Sequence, residues 1–185
     1  MSWRLKLSET GLLVVDVQEK LVAAVKEPEG WVDRVETLVK AAKLLEMPVA
    51  ITEQVPAKLG KTVAPVLQAV GKVSPASKSA FSAVDAGKGL GKKKVLVAGC
   101  ETHVCVRQTV YDLRQKEIQP VLVADAVGSR READRQLALQ EMRQDGIVIA
   151  STEAVLFELL ETAEHPKFKE IQALIKRSGS EFQAR

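Results

Sequence analysis

Short, unbroken aliphatic runs, spaced between stretches of helical periodicity, restrict this chain more than any other feature. Leu12-Leu13-Val14-Val15, Val95-Leu96-Val97-Ala98 and Val121-Leu122-Val123-Ala124 offer no polar residue to water, so each suits a strand buried on both faces of a sheet. Between them, Val32, Val35, Val39, Ala42 and Leu45 recur at helical intervals, and so do Val106, Val110 and Leu113. Strands that alternate with helices in this way make βαβ units, whose right-handed crossovers build a doubly wound parallel sheet covered on both faces.

Taken in order, the pattern predicts strands over Gly11–Val17, Pro48–Thr52, Lys94–Ala98, Pro120–Asp125 and Gly146–Ala150, with at most a stub over Val73–Ser77. It predicts helices from about Val32 to Leu45, Thr62 to Val70 with Pro65 in the first turn, Val84 to Leu90, and from Glu101 onward. Later ones run from Ser129 to Gln144 with Ser129 as N-cap, through Leu160 from Ser151, and from Lys167 to Ile175. At 185 residues the chain fits a single core. We expect one domain over residues 1–177 and a flexible tail over 178–185, where the composition turns to Ser, Gly and Gln.

Bulk properties exclude several classes of function. The net charge of +3 is too small and too scattered for a nucleic-acid surface, and Lys92-Lys93-Lys94 reads as a solvated approach to a strand. No apolar run approaches the roughly 18 residues of a membrane span, and the opening residues lack the apolar core of a signal peptide, so a cytoplasmic protein is expected. Two cysteines make no disulfide framework, and two histidines make no multi-histidine metal site; neither a metal nor a cofactor is expected.

In an open parallel sheet the ligand crevice lies beyond the carboxyl ends of the strands, where the order of connection reverses. Asp16 ends the first aliphatic run, Lys78 follows the third strand and Cys105 follows the fourth, so all three can meet in one crevice. A carboxylate, an ammonium and a thiol make a nucleophilic site: Asp16 takes the thiol proton, Lys78 holds the carboxylate, and Cys105 attacks. Cys105 falls in the opening turn of a helix, whose free N–H groups favour a thiolate. Each residue also has a plainer reading, as a cap, a surface lysine or a small buried hydrophobe. Cys100 is expected to be buried, His103 to lie off the Cys105 face, and Asp125 to have a structural or helix-capping role.

Leu13-Val14-Val15-Asp16-Val17-Gln18, Thr52-Glu53-Gln54, Lys78 with Phe81-Ser82, and Gly99-Cys100-Glu101-Thr102-His103-Val104-Cys105-Val106 followed by Thr109 stand in an order that resembles the isochorismatase-like cysteine hydrolases. The resemblance spans residues 11 to about 160 and is nearest to the isochorismatase-domain hydrolases of unassigned substrate. It implies a three-layer α/β/α fold with a mostly parallel sheet of about six strands and a catalytic triad of Asp16, Lys78 and Cys105. It also implies a cis peptide joining Cys100 to Glu101, which aims the N–H groups of Glu101 and Cys105 at a substrate oxygen as an oxyanion hole. Gln18, Phe81 and Thr102 become candidate substrate contacts, and a homo-oligomer is expected, an edge of one subunit closing another's pocket.

Two departures narrow the chemistry that the resemblance implies. Nicotinamidases hold a metal with aspartate and histidines after the second strand, and residues 53–62 here contain neither. True isochorismatases do not depend on a cysteine at the nucleophile position, so Cys105 favours acyl chemistry. The expected activity is hydrolysis of a small amide, or a related carbonyl or imide compound, through a Cys105 thioester, with no nucleic-acid or membrane partner. The alternatives are vinyl-ether hydrolysis of the isochorismate kind, with Asp16 as general acid, and a non-enzymatic thiol switch or oligomeric binding scaffold.

Overall fold

The computed structural model describes residues 4–25 and 28–179. Six strands, β1 (Thr10–Val15), β2 (Val49–Gln54), β3 (Ala76–Lys78), β4 (Lys94–Cys100), β5 (Gln119–Gly128) and β6 (Val148–Ala150), form one sheet in the order β3-β2-β1-β4-β5-β6. Every pairing is parallel. The chain therefore winds outward from β1 to one edge, returns to the middle, and winds outward from β4 to the other. The reversal falls between β1 and β4, the position where the sequence puts its most continuous aliphatic runs.

Both central strands are buried along their whole length. Alternate residues feed opposite layers, as strand pleating requires. Leu12 and Val14 of β1 with Leu96 and Ala98 of β4 face one core, shared with α2 (Trp31–Leu44), α4 (Ala64–Val70), α8 (Thr152–Leu160) and α9 (Phe168–Gly179). Leu13 and Val15 with Val95 and Val97 face the other, shared with α5 (Val84–Gly89), α6 (Arg107–Gln115) and α7 (Glu132–Gln144). The three-layer α/β/α fold is thus present. At Gly99, φ is 121° and a Cβ would stand 2.0 Å from the Val15 carbonyl oxygen, so only glycine lets β4 lie this close to β1.

Three features differ from the sequence expectation. Short helices α1 (Glu19–Ala24) and α3 (Pro56–Leu59) are present where no periodicity announces them. Strand β5 continues past Asp125 to Gly128 across a register shift opposite Val97–Gly99. The irregular carbonyls of Ala124 and Val127 are satisfied by the buried Arg135 side chain. Helix α7 starts only at Glu132, because the Ser129 hydroxyl contacts His103 instead of capping it. Asp125 does cap a helix: its Oδ1 accepts from the backbone N–H and hydroxyl of Thr152 at the start of α8. Ser178 and Gly179 belong to α9, and the rest of the expected tail, 180–185, lies outside the described residues.

Candidate active site

Asp16 follows β1 directly and adopts a positive φ of 53°, a conformation aspartate tolerates better than most residues. Its side chain is wholly buried, and both oxygens are occupied. Thr52 Oγ1 donates to Oδ1 at 2.8 Å, and Lys78 Nζ donates to Oδ2 at 2.6 Å. Parallel register explains the meeting, since Val15 pairs with Thr52 on β2 and Gln54 pairs with Lys78 on β3. Lys78 Nζ also reaches Gln54 Oε1 at 2.7 Å and the carbonyls of Phe81 at 2.8 Å and Ala80 at 3.1 Å. The ammonium thus has four oxygen acceptors around it.

Cys105 lies in a π-helical turn, Thr102–Val106, that leads from β4 into α6. The peptide between Cys100 and Glu101 is cis, and the Glu101 carbonyl accepts from both Val104 and Val106 N–H. The Asp16 carboxylate and the Cys105 thiol are close enough to shift one another's ionisation, and the backbone N–H of Glu101 acts on the same sulfur. Asp16, Lys78 and Cys105 are therefore one connected group.

Electrostatics correct one expectation. Burial pushes the Cys105 thiol up to about 12, the Asp16 charge adds to the rise, and Lys78 and the Glu101 N–H offset only part of it. Desolvation outweighs the helix terminus, so the resting sulfur keeps its proton. Burial also raises Asp16 above the usual carboxylate range, against the pull of Lys78 and Thr52. Cys100 is fully buried, donates from Sγ to the Asp16 carbonyl at 3.2 Å, and is pushed well above the ordinary thiol range by desolvation.

The remaining sequence candidates fall elsewhere. Gln18 is fully buried, with Nε2 donating to the carbonyls of Gln54 and Gly60 and Oε1 accepting from Gln54 N–H. Thr102 is equally buried and donates to the Gly128 carbonyl. Both side chains are thus engaged inside the protein, where they brace the segments that carry the site. Phe81 is 53 % exposed, beside the carbonyl that holds Lys78. His103 turns to Ser129, away from Cys105. Thr52 and Gln54 have no role legible in the sequence, although they stand two apart on one strand and so point the same way. Arg130, which donates to Glu101 Oε1, has none either. Among the described residues no three His, Cys, Asp or Glu side chains gather as a metal-holding group.

The fold and these residues match known proteins. The isochorismatase domain family covers residues 10–154. Isochorismatase domain-containing protein 2 of Danio rerio is 38 % identical over 178 residues, which is 93 % of this chain and 89 % of the relative. Among solved structures, the MAR1 ribonuclease of Caenorhabditis elegans superposes with a TM-score of 0.88 at 35 % identity, covering 93 % of this chain and 92 % of the other. The YcaC gene product of Escherichia coli, described as an octameric hydrolase of unknown specificity, shares the fold: its TM-score is 0.84 at 24 % identity, over 97 % and 91 % of the two chains. With the family's domain spanning most of its length and relatives above the level of chance resemblance along nearly all of it, this chain belongs to the isochorismatase domain family.

Proposed function

We propose that the protein is a cysteine hydrolase acting on a small amide or a related carbonyl or imide compound. What supports this reading is the Lys78 ammonium held on the Asp16 carboxylate, with the Cys105 thiol and the Glu101 N–H near enough for the sulfur to respond to all three. In the first step the thiol proton passes to Asp16 as Sγ bonds to the carbonyl carbon, and the oxygen that gains charge is met by the N–H groups of Glu101 and Cys105. Lys78 keeps Asp16 ionised until that transfer. The intermediate then collapses: the C–N bond breaks, and Asp16 returns the proton to the leaving nitrogen. Water, deprotonated by Asp16, attacks the thioester; an acid leaves and the thiol is restored.

Membership in the isochorismatase domain family supports a hydrolase, and the amide preference rests on the cysteine. A screen of small amides and ureas read by ammonia release, with wild type and Cys105→Ala side by side, tests it. Release that survives the substitution rejects the nucleophile. One observation favours a second reading, vinyl-ether hydrolysis: burial raises Asp16, which helps it to act as a general acid. Stoichiometric alkylation of Cys105 that leaves turnover intact would select that reading.

The proposed partner is a small molecule. The Lys92–Lys94 run is engaged within the chain by the Ser8 carbonyl, Glu9 and the Arg4 carbonyl, which argues against a nucleic-acid role for it. No helix among the described residues is long and apolar enough to cross a membrane. A cytoplasmic homo-oligomer fits the free cysteines and the octamer formed by the Escherichia coli neighbour. A monomer mass by light scattering contradicts the oligomer.

A further inference from the structure

One of the two backbone N–H groups in the oxyanion geometry proposed above belongs to Glu101, whose side chain is only 9 % exposed. A carboxylate this deep requires a partner. Its partner is Arg130, whose backbone N–H and Nε both donate to Oε1, at 3.0 and 2.9 Å. The preceding residues grip the same turn. Ser129 Oγ lies 3.0 Å from His103 Nδ1, and Thr102 Oγ1 donates to the Gly128 carbonyl at 3.1 Å. Cys100 and Gly128 are register partners, so the grip carries the β4–β5 ladder beyond the sheet's edge. Gly128, the last residue of β5, and the two residues that follow it thus hold Glu101, Thr102 and His103 at the head of the nucleophile turn.

We propose that Arg130 is a positioning residue for the Cys105 chemistry: through the Glu101 carboxylate it fixes the direction of the Glu101 N–H toward the sulfur and the carbonyl oxygen, without touching substrate. The inference rests on the hydrolase reading given above. Of the contacts in the grip, this one can be altered alone, because the Arg130 side chain is 61 % exposed and lies outside the core. The groups that set the reactivity of Cys105 from the surrounding elements, Asp16, Lys78, Cys100 and the Glu101 N–H, all remain when Arg130 is changed.

Iodoacetamide is a suitable probe, since its reaction with Cys105 reports the thiol without any substrate. In full-length Arg130→Gln that keeps the wild-type circular dichroism, the alkylation profile should move to higher pH. At a fixed mildly alkaline pH the rate should fall on the order of 10-fold, the equivalent of one pKa unit. For whichever amide is turned over, kcat should drop roughly 10- to 100-fold with KM within about 3-fold, less than the loss of a whole oxyanion donor because the N–H remains but is misaimed. Arg130→Lys should recover part of both, and the double variant Glu101→Gln/Arg130→Gln should be no worse than the more impaired single. An unchanged profile and kcat in Arg130→Gln overturn the inference. So does a KM rise with kcat intact, which would place Arg130 against the substrate. Turnover that persists in Cys105→Ala removes Cys105 as the nucleophile instead, and the alkylation profile still judges the positioning role on its own.

Discussion

On the proposed mechanism, Asp16 decides when the site is chemically competent. Attack requires an ionised carboxylate, and burial raises the pKa of Asp16, so turnover should climb as pH rises through a value above the ordinary carboxylate range. Because the Cys105 thiol is held up to about 12, no thiolate plateau should interrupt that limb near neutrality; a kcat/KM profile from ammonia release checks both points. Asp16→Asn separates its two effects. It removes the base, which should lower turnover on the order of 10²- to 10⁴-fold, and it removes a charge that raises the thiol, which should shift Cys105 alkylation to lower pH. An alkylation profile that stays in place would contradict the coupling. Asp16, Lys78 and Cys105 could be nominated because each stands at or shortly after the carboxyl end of a strand-like segment. Their protonation was not legible, since the helix-terminus argument weighs a dipole and has no measure of burial. Thr52, Gln54 and Arg130 were invisible as partners because their contacts depend on strand register and on a turn after β5.

Helix α6 ties the two halves of the site together through Thr109. Its Oγ1 donates to the Cys105 carbonyl at 2.6 Å and accepts from Ala83 N–H at 2.8 Å, joining the nucleophile turn to the loop that carries Lys78 and Phe81. Thr109→Val keeps the shape and strands a buried N–H, so it should destabilise the protein by about 1–3 kcal/mol in urea unfolding. A change below a few tenths of that would show that the loop is held elsewhere. At this scale the long elements were readable from their periods: α2, α8, β1 and β4 fall within a residue or two of expectation. The misses have physical causes. Helices α1 and α3 span six and four residues, too few for a period to register. The end of β5 and the late start of α7 are set by Arg135 and by the Ser129–His103 contact, neither of which is a local property of sequence.

For the molecule as a whole, winding order does the decisive work. Because the chain reverses between β1 and β4, residues 16, 78 and 105 arrive at one point from three segments that sequence distance keeps apart. Strand–helix alternation made that convergence possible, and the family resemblance singled out the three residues. The same architecture makes the site separable from stability: Cys105 packs at the margin of a core dominated by Leu13, Val97, Val110 and Leu113. Cys105→Ala should therefore cost only about 1 kcal/mol, and a cooperative melt near that of wild type confirms that lost activity is lost chemistry. The most direct measurement is the mass of Cys105 itself during turnover of an amide found by the ammonia screen, quenched in acid and mapped by peptide. The account predicts an acyl group on the Cys105 peptide that appears with turnover and is absent from Cys105→Ala. An unmodified Cys105 peptide, trapped repeatedly from an enzyme that is releasing ammonia, would contradict it.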